Sequence, residues 1–233
     1  DAYVLKLDLQ GLFMSIDRAL LFSHLAAFLR RRYFGEDREL LIEICRKIIN
    51  NDPAENCKIR GSWKDWKGLP PSKSLFHSKP GCGLPIGNLT SQVFANFYLN
   101  SFDHFIKSTL KIKCYGRYVD DLFLVHGDRA FLAAQVPKIR HFLFTHLGLC
   151  LHPKKLYLQH YRHGVPYLGT VVLQNRIIIA VRTKNNFYQA MRFYNKTAYD
   201  HRPSKEEKLR FQSTINSYLG ILAHHHSYRL RLR

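Results

Sequence analysis

The sequence predicts an α+β fold, and three features carry that reading. A β-prone run, Arg117-Tyr118-Val119-Asp120-Asp121-Leu122-Phe123-Leu124-Val125, is interrupted only by two adjacent carboxylates. A second short apolar strand, Tyr3 to Leu9, carries Asp8 towards its end. Between and after them lie long stretches whose apolar residues recur at helical spacing.

The hairpin comes first because the rest depends on it. Tyr115 to Val119 and Leu122 to Val125 read as antiparallel strands, with Asp120-Asp121 as the tight turn between them. Asp is a common turn residue, so an acidic turn by itself reads equally as a solvated corner. Asp8 changes the balance. If its strand lies beside the hairpin, Asp8, Asp120 and Asp121 converge, and two carboxylates about 4 Å apart repel by about 4 kcal/mol at an effective dielectric of 20. Arg117 and Lys6 are the nearest positive charges in sequence. Such a cluster calls for a hard divalent cation, and Mg²⁺ suits carboxylate oxygens. Two such ions form the usual platform for in-line phosphoryl transfer.

Composition narrows the partners. The 233 residues, 46% of them hydrophobic, are enough for one domain with a smaller lobe. Lys and Arg total 36 against 17 acidic residues, a net charge of +19 that points to a polyanion, nucleic acid above all. No apolar run reaches membrane-spanning length and no signal peptide is visible, so no membrane partner is expected. Cys45, Cys57, Cys82, Cys114 and Cys150 are odd in number and lack paired spacing, as reduced thiols of a cytoplasmic protein would be. The chain opens on Asp1 almost inside a strand, which reads as a missing natural start.

The remaining elements follow in order. After a connection over Gln10 to Met14, Ser15 is the expected N-cap of a helix to about Tyr33, striped by Leu20, Leu21, Leu25, Phe28 and Leu29. A second helix is expected from Asp37 to Ile49, with Leu40, Leu41, Ile44 and Ile48 on its apolar face. Residues 51 to 83 read as loop, in which Trp63 and Trp66 serve either as anchors or as base-stacking platforms. The Gly-rich stretch Gly81 to Gln92 opens a helix capped by Asn88 or Thr90, whose face carries Phe94, Tyr98, Phe102, Phe105 and Ile106. Asp128 caps a helix that Gly148 ends near Leu147. His152-Pro153-Lys154-Lys155 is basic and exposed, and residues 166–172 with 176–181 form a hairpin. From Lys184 two basic helices split at Asp200 to Ser204, interleaved with Tyr188, Tyr194, Tyr199, Tyr218 and Tyr228. His224-His225-His226 is assigned no metal.

Read together, Leu7-Asp8-Leu9, Leu84-Pro85-Ile86-Gly87, Tyr118-Val119-Asp120-Asp121, Lys155 and Tyr167-Leu168-Gly169 resemble motifs A to E of a reverse transcriptase palm. The resemblance covers about residues 3–175. It implies a right-hand polymerase palm over 1–182, an antiparallel sheet with flanking helices. It also implies a basic helical thumb over 183–233, with the N-terminal fingers largely missing. Ile86-Gly87-Asn88-Leu89-Thr90-Ser91-Gln92, with Tyr218-Leu219-Gly220, is similar to the form in diversity-generating retroelements, where most reverse transcriptases have Gln-Gly.

The resemblance implies roles. Asp8, Asp120 and Asp121, with Leu9, hold two Mg²⁺ ions (Mn²⁺ as substitute), and Lys155 donates a proton to departing pyrophosphate, with Lys154 its adjacent rival. Leu9, Gln10, Gly11 and Leu12 face the dNTP triphosphate. Phe13 is the steric gate, and Ile86, Gly87 and Gln92 line the nucleotide. Tyr118, Tyr167, Leu168 and Gly169 contact nucleic acid. Expected partners are template RNA, primer or cDNA, dNTPs and a small basic accessory protein. The expected activity is error-prone copying of a template-repeat RNA. Two rivals stand beside it: a group II intron or retron type of enzyme, and a non-catalytic RNA-binding module with a degenerate palm.

Overall fold

A computed structural model describes residues 1–55, 57–59 and 62–224, without the side chains of residues 63 and 65. The chain divides into two compact units, Ala2–Leu158 and a second made of Asp1 with the residues from Gln159 onward.

In the first unit the order is β1 (Tyr3–Asp8), α1 (Leu12–Ser15), α2 (Arg18–Arg32), α3 (Arg38–Asn50), α4 (Leu89–Tyr98) and α5 (Asn100–His104). A π-helical turn (Phe105–Thr109), β2 (Cys114–Tyr118), β3 (Asp121–His126) and α6 (Arg129–Leu147) complete it. With β4 (Tyr157–His160) the strands form one sheet of order β2-β3-β1-β4. Alternation along the strands sets its two faces. Leu5, Leu7, Leu122 and Leu124 are at most 1% exposed and lie in one cluster with Tyr98, Phe102 and Ile106 and with Leu132, Ile139 and Leu143 of α6. Each such fully buried leucine contributes about 1.5–3 kcal/mol relative to exposure. The odd-numbered leucines of β1 thus fix the sheet on its helices, and the even-numbered Lys6 and Asp8 emerge on the opposite face.

Helix ends follow local chemistry. Asp128 caps α6 by accepting from the Ala130 amide at 2.7 Å, and Gly148 ends it in the left-handed region at φ 61°. The buried Tyr98 hydroxyl donates to the Leu147 carbonyl at 2.7 Å, satisfying one of the orphan acceptors of that helix end. Burial pushes the Tyr98 phenol far above its ordinary pKa.

Several expectations need correction. The N-cap of α2 is Asp17, which accepts from the Leu20 amide at 2.9 Å, because Ser15 is already the last residue of α1. On α3 the buried positions are Ile42 and Ile49, with Cys45 packed beside them, whereas Leu40, Ile44 and Ile48 are 63%, 44% and 42% exposed. Both stripes have helical spacing, and packing against α2 selects between them. The helix expected through Ile106 is broken at Leu99 and relaxes into the π turn, which keeps Tyr98, Phe102 and Ile106 all buried. The acidic hairpin turn is displaced by one residue, as described below.

The second unit holds a three-stranded antiparallel sheet, β5 (Val165–Tyr167), β6 (Thr170–Val172) and β7 (Ile177–Ile179), then α7 (Val181–Asp200) and α8 (Lys205–Ala223). The hairpin expected from 166–172 with 176–181 forms over 170–172 and 177–179, while 165–167 fold back as a third strand on 170–172. Ser204 and Glu207 form a reciprocal capping box that starts α8 after the expected break. His225, His226, Tyr228 and the end of the expected thumb lie outside the described residues. Among the described residues no helix is long and apolar enough to cross a membrane.

Candidate active site

The site is built at the tip of the β2–β3 hairpin. Tyr118 pairs with Asp121, so the two turn residues are Val119 and Asp120, and Asp121 already belongs to β3. Val119 sits at φ 56° while Asp120 does not share the positive φ, the pattern of a type II′ turn. A β-branched residue there is strained, at a cost of order 1–3 kcal/mol. The turn is thus displaced against local preference: aspartate is the residue statistics would place in a corner, and here valine occupies the costly position.

β1 lies antiparallel to β3 with Asp8 directly opposite Asp121. Opposed residues share a face, with Cβ atoms about 4.5–5.5 Å apart. Asp121 is therefore flanked on one face by Asp8 of β1 and Tyr118 of β2. Asp120 follows at the tip, its carbonyl accepting from the Leu9 amide at 3.0 Å. Burial pushes the Asp120 carboxyl above its ordinary pKa, the charges of Asp8 and Asp121 add to that, and Lys155 offsets part of it. Two of the carboxylates are answered by ammonium groups, Asp8 by Lys155 at 2.8 Å and Asp121 by Lys6 at 3.0 Å.

Arg117, one of the two positive charges nearest the acidic pair in sequence, does not pair with the clustered carboxylates. It belongs to the opposite face and makes a two-pronged pair with Asp103, Nη2 to Oδ2 at 2.6 Å and Nε to Oδ1 at 2.9 Å. Its Nη1 donates to Asn96 Oδ1 at 2.9 Å and to the Val119 carbonyl at 3.3 Å. The Tyr115 hydroxyl donates to Asp103 Oδ1 at 2.6 Å. Burial and that carboxylate together push the Tyr115 phenol far up. Asp103, Asn96 and Tyr115 were not singled out from the sequence. The available signal was a lone carboxylate in an apolar helical run, Phe102-Asp103-His104-Phe105-Ile106.

Alternation places Lys6, Asp8, Asp121 and Tyr118 together, and the local backbone places Leu9 to Phe13 beside them. Gln10 donates its amide to the Cys150 carbonyl, and Gly11 turns at φ 55° into α1. A Cβ on Gly11 would lie 2.7 Å from the Ser72 carbonyl oxygen, so the loop at 71–73 rests on this glycine. Leu12 is buried and Phe13 half-buried against the core, its carbonyl accepting from the Leu84 amide at 2.8 Å. That bond ties the Gly-rich stretch to the same corner. Ile86 is 67% exposed, Gly87 turns at φ 106° with open space around it, and Gln92 is exposed on α4. Trp66 packs on Phe76 with ring centroids 5.1 Å apart, which anchors that loop. Tyr167, Leu168 and Gly169 lie in the second unit at the β5–β6 turn, where Leu168 and Gly169 take φ of 44° and 81°.

Three carboxylates within mutual electrostatic reach suit a hard divalent cation in donor chemistry. With Asp8 and Asp121 bound to lysines, no three His, Cys, Asp or Glu side chains among the described residues are gathered into a metal cage.

An antiparallel sheet backed by helices, with an acidic hairpin tip facing away from them, defines a polymerase palm fold. The profile of the family described as reverse transcriptase (RNA-dependent DNA polymerase) matches residues 1–172, and the chain belongs to that family. No curated protein matches it by sequence. Among solved structures it is similar to apo telomerase from Candida tropicalis, at TM-score 0.50 and 13% identity over 76% of this chain and 32% of that one. It is also similar to telomerase from Candida tropicalis in complex with the TWJ fragment of telomeric RNA, at TM-score 0.50 and 14% identity over 98% of this chain and 39% of that one. At such identities the likeness shows the fold. The chain spans 32% and 39% of the length of those two telomerase chains.

Proposed function

We propose that this chain carries the catalytic palm of an RNA-directed DNA polymerase, with palm and thumb drawn at 1–182 and 183–233. The observation that carries the reading is the cross-strand pair Asp8–Asp121 with Asp120 beside it at the hairpin tip. A non-catalytic RNA binder gains nothing from three mutually repelling carboxylates.

Asp8, Asp120 and Asp121, with the Leu9 backbone, would hold Mg²⁺, which when bound supplies charge stabilisation for phosphoryl transfer from a dNTP. The chain's own residues divide the remaining work. Lys155, anchored on Asp8, holds a proton within reach of a leaving pyrophosphate, and Lys154 is its neighbour. The Gln10–Leu12 backbone faces the triphosphate, and half-buried Phe13 forms the wall that rejects a 2′-hydroxyl. Tyr118 and the Tyr167-Leu168-Gly169 turn contact primer and template. The basic α7 and α8 follow the nucleic-acid backbone through phosphate contacts.

Exposed Ile86 supports the narrower assignment to the diversity-generating type, which copies a template-repeat RNA with errors and works with a small basic accessory protein. An aliphatic side chain there supplies shape without a directional hydrogen bond, which loosens selection between nucleotides. The test is primer extension on an RNA template with dNTPs and Mg²⁺. The reading requires metal-dependent cDNA synthesis that Asp120→Asn abolishes. RNA binding with no extension in either protein would establish the non-catalytic alternative instead.

A further inference from the structure

The ion pair behind the hairpin does more than hold helices to a sheet. Arg117 is only 10% exposed at its side chain, and its fork reaches Asp103 of α5, Asn96 of α4 and the Val119 carbonyl of the turn. Across the same turn the Leu9 amide holds the Asp120 carbonyl at 3.0 Å. Both turn carbonyls are therefore clamped, one by Arg117 and one by the residue that follows β1. Between them Val119 keeps a left-handed backbone that a β-branched residue leaves unless something holds it.

We propose that Arg117, fixed by Asp103 and Asn96, is a positioning residue that sets the Asp120 carboxylate for divalent-cation binding by holding Val119 in its strained conformation. This rests on the polymerase reading above. A guanidinium is required because its planar fork serves acceptors in several directions at once, whereas an ammonium is a point charge on a flexible stem. Lysine at 117 preserves the charge opposite Asp103 and loses the simultaneous grip on the turn.

The experiment uses the full chain as wild type, Arg117→Lys, Asn96→Ala and Asp120→Asn. Mn²⁺ binding is followed by electron paramagnetic resonance, with melting temperature and extension kinetics alongside. Arg117→Lys is expected to weaken Mn²⁺ binding and to lower kcat on the order of tenfold each, with the dNTP KM moved by less than about twofold, as for a sub-ångström misplacement of a reacting group. Asn96→Ala, which leaves the Asp103 pair in place, shifts both in the same direction by a smaller factor and keeps the question answerable if Arg117→Lys folds poorly. In a double-mutant cycle, Arg117→Lys costs less in a Val119→Gly background, because glycine adopts φ near 56° without the strain that Arg117 has to offset.

Wild-type Mn²⁺ affinity and kcat in Arg117→Lys would overturn the inference, as would losses that vanish when the assay is cooled below a lowered melting temperature. Equal costs in the valine and glycine backgrounds would overturn it too. A wild-type chain that neither binds Mn²⁺ through Asp120 nor extends a primer would overturn the polymerase reading and this inference with it.

Discussion

The β2–β3 and β5–β6 hairpins both close with two-residue turns, and they solve the same backbone problem in opposite ways. The β5–β6 turn uses Leu168-Gly169, both at positive φ, a type I′ pattern whose twist suits the strands and whose second residue is the one best adapted to it. The Gly169 carbonyl accepts from the Ala180 amide and the Thr183 hydroxyl, so nearby backbone secures it. The β2–β3 turn has no glycine. It places valine at positive φ and holds it with Arg117 and the Leu9 amide. The first turn has a glycine at one of its two positive-φ positions; the second has none and is held by its context. A turn that needs its neighbours to keep its shape is one whose half-buried carboxylate has a defined address.

Breaking that context tests the contrast most severely at the carboxylate itself. Asp120→Asn is expected to lower extension by about 10³-fold or more, on the scale of removing a main electrostatic group from a reacting site. The same change is expected to raise the melting temperature slightly at neutral pH without metal. The sign follows from the raised folded-state pKa of Asp120. Its charged form is disfavoured on folding, so ionisation costs stability above the unfolded pKa, and the cost disappears as pH falls below that value. Thermal melts of both proteins between about pH 3 and pH 8 should therefore converge at the acid end.

Removing the brace altogether comes next. Arg117→Ala leaves Asp103 without its ion pair in a largely buried setting and is expected to destabilise by about 3 kcal/mol, seen as a reduced denaturation midpoint at unchanged slope. Gly169→Ala is smaller. A left-handed Ala and its approach to the Thr183 hydroxyl, 3.0 Å from the added Cβ, are expected to cost about 1–2 kcal/mol, with Mn²⁺ binding unaffected. Leu168→Asn goes the other way by a few tenths of a kcal/mol at most, since asparagine tolerates this region, while weakening primer–template binding in a filter or anisotropy assay. Selection is tested separately: Ile86→Gln is expected to lower misincorporation by a few-fold, about 1 kcal/mol of discrimination, read by sequencing the cDNA.

The acidic cluster was legible because strand periodicity is rigid: two short apolar runs with carboxylates at their ends can pair antiparallel with Asp8 against Asp121 only in one register. Asp128 and Gly148 marked α6 through capping chemistry that is local and needs no tertiary information. The turn residues were not legible, because the strained Val119 is held by an Arg117 whose own fork is fixed by Asp103 and Asn96, and by Leu9 gripping the next carbonyl, all three far away in sequence. Arg117 shows the same limit: nearness to the acidic pair along the chain offers it as a counter-charge, whereas its register opposite Leu122 puts it on the other face of the sheet. On α3 the Leu40–Ile44–Ile48 and Ile42–Cys45–Ile49 stripes are equally good helical patterns, and only the surface of α2 decides between them.

The one-to-one pairing of Tyr3–Asp8 with Asp121–His126 also bears on how this protein tolerates change. Side-chain identity at many of these sites can drift, but a single-residue insertion or deletion in either strand would carry the acidic pair into the leucine layer and turn leucines out to water. Libraries built on this scaffold can therefore vary letters along the two strands freely at the rim, while chain length between Tyr3 and Asp8, and between Asp121 and His126, must be kept.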